Sequence, residues 1–102
     1  MSTRGARMIL AERRRQVQKE GWDSRHDDDH YNLELSWAAE CYLESARRKT
    51  RKPKLRAPAH WPWEAQNWNP KDPIRDLVRA GALIAAEIDR LLRDQPKPGR
   101  EG

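Results

Sequence analysis

Between Asp72 and Pro96 the sequence repeats apolar residues at three-and-four spacing: Ile74, Leu77, Val78, Gly81, Ile84, Ala85, Ile88, Leu91 and Leu92. That period fits the 3.6-residue turn of an α-helix and excludes a strand, whose side chains alternate every second residue. Asp72-Pro73 supplies an N-cap followed by proline at the first helical position, where its missing N–H is not needed. Arg90 and Arg93 lie near the far end, where the helix dipole favours cations, and Pro96 stops the helix. The spacing predicts a helix over residues 73–93 with its apolar face on the core. Asp76, Ala80, Leu83 and Glu87 form a separate stripe on the other side.

Two more helices follow from the same reasoning. Residues 7–20 are good helix formers without internal Gly or Pro, and Gly21 is placed as a C-terminal stop. The apolar content there, Met8, Ile9, Leu10 and Val17, is thin, so this helix should pack by a narrow stripe and leave Arg13, Arg14 and Arg15 solvated. A helix over residues 25–48, opened by a weak capping box at Ser24, puts Leu35, Ala38, Ala39, Tyr42, Leu43 and Ala46 on one core-facing side. His26, His30, Leu33, Trp37, Glu40 and Glu44 would then share a second stripe. The fold class expected is all-α: a small antiparallel helical bundle of three main helices with a long Pro/Trp-rich loop. Residues 1–94 form the single helical domain, with 49–57 as a mobile basic segment and 58–72 as the Trp/Pro loop, and 95–102 a disordered tail.

With 102 residues, 36% of them charged, and no Phe, the core material is scarce, which favours association into a homo-oligomer. No run approaches the roughly 18 apolar residues that span a membrane, and the single Cys41 allows no internal disulfide, so a cytoplasmic setting in a host cell is expected. Cys41, mid-helix without a cationic neighbour, reads as a packing residue. Charge is segmented. Residues 22–46 carry one basic and seven acidic groups, whereas residues 47–56 carry seven basic and none acidic. Such a pattern suits a cation-binding centre with anion-binding rims, or intramolecular pairing, better than a continuous DNA-coating face, so only weak, non-specific nucleic-acid binding is expected.

The chemistry-bearing candidates fall in two places. His26-Asp27-Asp28-Asp29-His30 gathers two imidazoles and three carboxylates, and repulsion among the acids calls for a cation, a helix N-terminus or a basic partner. At i, i+4 spacing His26 and His30 could ligate one ion with Asp28, such as Mg²⁺ or Mn²⁺, given one more ligand from Glu40, His60 or Asp76, of which Glu40 is preferred. Against that stands simple capping of a helix start. The second place is the loop with Trp61-Pro62-Trp63, whose rings could stack a planar group while Arg75 or Arg79 holds phosphate; core packing is the competing fate of such rings.

Taken together, Ala11-Glu12-Arg13-Arg14-Arg15-Gln16, Gly21-Trp22 with His26-Asp27-Asp28-x-His30, and Trp61-Pro62-Trp63 followed by the run from Asp76 to Ile88 resemble a family of small phage and prophage proteins. The helices with acidic clusters are more loosely similar to the all-α, MazG-like nucleotide pyrophosphohydrolases, though Glu34 and Glu40 are six apart and no Glu-x-x-Asp follows. The resemblance implies a phage-type protein, and the residues themselves lead to the expectation that it binds a nucleotide-like anionic ligand, with His26, Asp27, Asp28 and His30 as the polar centre, Trp61 and Trp63 as the planar contact and Arg75 or Arg79 as the phosphate contact. It would either hydrolyse that ligand as a metal-dependent pyrophosphohydrolase or sequester it as a counter-defence sponge. The alternative is an interaction protein that inhibits host defence, using the basic segment and the Trp loop against a host protein or nucleic acid.

Overall fold

The computed structural model describes residues 2–20, 33–48 and 56–94. The described residues hold three α-helices, α1 (Arg4–Glu20), α2 (Glu34–Ala46) and α3 (Pro73–Asp94), a single 3-10 turn at Ala65–Asn67 in the Trp loop, and no strand. The small all-α bundle is as the apolar spacing predicts. α3 packs against both other helices, and the end of α2 meets the start of α3, where Ser45 donates to Asp76 at 3.0 Å. No helix among the described residues is long and apolar enough to cross a membrane.

The helix starts have identifiable causes. Thr3 caps α1, its Oγ1 accepting from Ala6 N at 3.2 Å, so the helix begins three residues earlier than its apolar content suggests. Asp72 caps α3 as expected, accepting from Arg75 N at 2.9 Å. α2 differs. Leu33 has φ 72°, in the left-handed region, and Glu34 is the first helical residue. A left-handed residue without glycine's freedom is costly and breaks helix continuity, so a single helix over 25–48 is excluded at Leu33. His26 and His30, expected to share a stripe with Glu40 and Glu44, lie outside the described residues. Residues 21–32, 49–55 and 95–102, which hold the His-Asp cluster, most of the basic segment and the tail, lie outside the described residues.

The core joins Leu35, Ala38, Ala39, Cys41 and Tyr42 of α2 to Ala80, Leu83 and Ala86 of α3, with Trp68 from the loop and Trp61, Trp63, Leu43 and Ala57 packed against it. On α2 the buried face is nearly the one the spacing predicts. On α3 it is the opposite one. Asp76, Ala80, Leu83, Glu87 and Arg90 are buried, while Ile74, Leu77, Ile84, Ile88, Leu91 and Leu92 stay 41–65% exposed. Two physical features let the less apolar face win. Ala80, Ala82 and Ala86 allow α3 to approach its neighbours closely, and each buried charge is compensated. Asp76 accepts from Lys71 N at 2.7 Å and from Ser45 Oγ and Arg48 Nη1 at 3.0 and 2.9 Å. Arg90 forks onto Glu87 at 2.7 and 3.0 Å. α1 repeats the inversion: Glu12 and Gln16 are each 2% exposed, whereas Leu10 and Val17 face outward.

Candidate functional site

The Trp loop is held in place by its own backbone and by α3. Trp61 N donates to Pro58 O at 3.0 Å and the Trp61 indole N–H to Glu64 O at 3.0 Å, while Arg79 of α3 donates to the Asn69 carbonyl. Trp68 turns inward and stacks on Tyr42, ring centroids 4.9 Å apart at 28°. Trp61 meets Trp68 at 5.0 Å and Trp63 at 5.4 Å, both edge-on. Prolines and close ring packing thus fix a stretch that has almost no helix to hold it.

Between this loop, α1 and α3 lies a cleft of ≈ 940 Å³, at the upper end of the range for small-molecule sites. Trp61, Trp63 and Pro62 form one wall, Glu12, Arg15 and Gln16 of α1 the other, and Tyr42 and Leu83 the floor; Gln66, Asn67, Asn69 and Arg79 add polar groups at the edges. The lining is aromatic and amide-rich, with two arginines against two glutamates.

Electrostatics divide the charged groups into committed and available. Glu12 takes both Nε and Nη2 of Arg15 at 2.9 Å, Gln16 Nε2 at 3.3 Å, and Arg75. Burial resists ionisation of Glu12, but the Arg15 bond, the charges of Arg75 and Arg15 and the Gln16 bond together outweigh it and hold the carboxyl below its ordinary value. Glu12 is therefore a fixed anion and a poor proton acceptor. Arg79 lies 5.5 Å over the Tyr42 ring, hydrogen-bonds the Tyr42 side chain and gives one Nη to Asn69; what it can offer an anion is the remainder of its N–H donors. Burial pushes the Tyr42 phenol up, against the opposing pull of Arg79. Gln16 Oε1 is buried and has no hydrogen-bond partner. A buried acceptor without a donor is uncommon and costly, and Gln16 is one of the residues that border the cleft.

Of the residues the sequence singles out, Trp61, Trp63 and Arg79 share this cleft. Arg75 does not line it; its guanidinium pairs with Glu12. His26, Asp27, Asp28 and His30 lie outside the described residues. Glu40 lies on the Trp37 face of α2, 3.7 Å from His60 Nε2, with Glu44 at 3.6 Å from the same nitrogen. Asp76 is saturated by its donors and shielded from any ion. No group of three or more His, Cys, Asp or Glu suited to a metal occurs among the described residues. Burial, with Glu44 and Glu40 adding to it, pushes the Cys41 thiol up to about 12, which fits a packing role.

Sequence reasoning missed Gln16, Arg15 and Glu12. The signal was available: a helix with too few apolar residues must bury something else, and Glu12-x-x-Arg15-Gln16 offers a self-neutralising group at i+3 and i+4. No protein-family model matches the chain, and neither a curated protein nor a solved structure matches it.

Proposed function

We propose that this is a phage-type protein that captures a nucleotide-like anionic ligand in the Trp61/Trp63 cleft. A planar base would lie against the exposed parts of Trp61 and Trp63, a base amine would donate to Gln16 Oε1 once that side chain rotates toward the cleft, and a phosphate would take the remaining donors of Arg79. The observation that carries this reading is the buried, partnerless Oε1 of Gln16, a residue that borders the same cleft as the two indoles and Arg79. Capture is the chemistry these side chains support, because Glu12 is neutralised by Arg15 and Arg75 and is no free base. In a phage setting, such capture would withdraw a nucleotide signal from the host.

Gln16→Met tests it. Methionine keeps the length of the side chain and removes the orphan acceptor, so the melting temperature should stay level or rise, since only the weak 3.3 Å bond to Glu12 is lost. Calorimetric titration with AMP, GMP, CMP and UMP should show saturable binding of at least one of them to the wild type. The variant should bind it about tenfold more weakly, the equivalent of one lost hydrogen bond. Absence of binding for all four, or equal binding by Gln16→Met, would refute the reading.

A further inference from the structure

The six exposed apolar residues of α3 form a pattern of their own. Ile74, Leu77, Ile84, Ile88 and Leu91, together with Gly81, recur at alternating spacings of three and four, the seven-residue repeat of a helix-pairing seam. At 100° per residue they and Leu92 fall within an arc of about 100°. At 41–65% exposure their side chains leave on the order of 500 Å² of apolar surface in water, near the most that monomers tolerate. That is the greater part of the roughly 800 Å² that each partner brings to a standard interface. Residues 21–32, 49–55 and 95–102 contain only Trp22, Tyr31 and Leu55 as large apolar side chains, too few to cover it.

α1 divides this face into two complementary halves. Ile9 rests on Gly81, where an added Cβ would meet its Cδ1 at 2.7 Å. On the N-terminal side, Gly5, Met8 and Ile9 with Ile74, Leu77 and Val78 enclose an apolar groove of ≈ 220 Å³. On the C-terminal side, Ile84, Ile88, Leu91 and Leu92 stand out as a ridge. A ridge and a groove on one helix, set either side of its middle, fit a second copy running antiparallel, each ridge entering the other's groove. Charge agrees with that direction. Leaving out the buried Asp76, Glu87 and Arg90, residues 71–79 carry Lys71, Arg75 and Arg79 against Asp72, and residues 87–94 carry Asp89 and Asp94 against Arg93. Antiparallel pairing therefore sets a net positive end beside a net negative one and opposes the two helix dipoles.

We infer that the α3 face binds a second copy of this chain, forming a two-fold dimer in which Ile88, Leu91 and Leu92 of each copy seat in the Ile74/Leu77 groove of the other. The surface is separate from the Trp61/Trp63 cleft, so either assignment can fail alone. Sedimentation equilibrium of the full chain at 1–100 µM (roughly the range in which such interfaces associate) should show a dimer. Ile88→Lys/Leu91→Lys should weaken association by on the order of 100-fold, with far-UV helicity unchanged because both side chains are already about half exposed in the single copy. For direction, Ile74→Cys mixed with Leu91→Cys should cross-link with a short bis-maleimide. Neither variant alone should do so, since like positions lie about 25 Å apart along antiparallel helices; Cys41, fully buried, does not interfere. A wild type that stays monomeric, a double variant that still dimerises, or efficient self-cross-linking of Ile74→Cys would each overturn the inference.

Discussion

The joint between α2 and α3 rests on Asp76, and its removal gives a prediction with a definite size. The carboxylate is fully buried and accepts three hydrogen bonds, from Lys71 N, Ser45 Oγ and Arg48 Nη1. The Arg48 side chain is only 8% exposed at this ion pair, so screening by solvent is slight. Asp76→Ala strands a buried guanidinium, a backbone N–H and a hydroxyl, and loss of one partner of a buried pair costs about 3–5 kcal/mol. A chain of this size has a total stability of about 5–15 kcal/mol, so the variant should lose a large share of it, with a melting temperature lower by roughly 15–25 °C. Arg48→Ala should cost less, because Asp76 keeps the Lys71 and Ser45 donors. The double variant should be no worse than Asp76→Ala by more than about 1 kcal/mol, since the stranded charge is gone. Urea unfolding followed by Trp fluorescence and circular dichroism measures all four corners of the cycle. Strict additivity of the two single losses would refute the reasoning, because it would mean that the two side chains do not interact.

Further outcomes follow from packing and titration. Gly81→Ala should lie within about 1 kcal/mol of wild type, the helix-propensity gain offsetting the 2.7 Å encounter with Ile9; in an Ile9→Ala background it should stabilise by about 1 kcal/mol, and the same effect in both backgrounds would disprove the α1–α3 contact in urea melts. Glu12 is held below its ordinary value, so its contribution is present above about pH 4.5 and is lost as pH falls through its lower folded value. Glu12→Gln should flatten that acid limb in thermal melts from pH 6 to 2 (about the span over which such carboxyls titrate). At the other end, Cys41 is raised from 9.0 to about 12 and Tyr42 above 10.0, so stability present below pH 9 should be lost as pH rises toward 12. Cys41→Ala should remove the earlier part of that loss.

Helix identity and the α3 cap were legible in the sequence because they depend on local chemistry: Asp72-Pro73 can cap a helix whatever surrounds it. The orientation of α3 was not, since periodicity shows which face is apolar and says nothing of what covers it. Small Ala80, Ala82 and Ala86 with self-compensated Glu87–Arg90 allow close packing on the α2 side, leaving the stronger apolar face outward. Leu33 was opaque for a similar reason, a leucine in a left-handed position having no local signature. In the site, Trp61, Trp63 and Arg79 could be named from residue type. Gln16 and Glu12 carried only an indirect signal, the shortage of apolar residues on α1, and which of its polar residues are buried depends on where α1 crosses α3.

The ligand cleft is tested most directly by indole N–H resonances. The chain has five tryptophans, each giving one resolvable cross-peak in a ¹⁵N correlation spectrum, assignable by single Trp→Phe variants. On titration with the mononucleotide that binds in calorimetry, or with each of the four in turn, Trp61 and Trp63 should shift saturably with one common dissociation constant. Trp37, on the opposite face of α2 beside His60, should remain unmoved. Shifts confined to Trp22 or Trp37, or no shift in any indole at millimolar nucleotide, would contradict the assignment of the cleft.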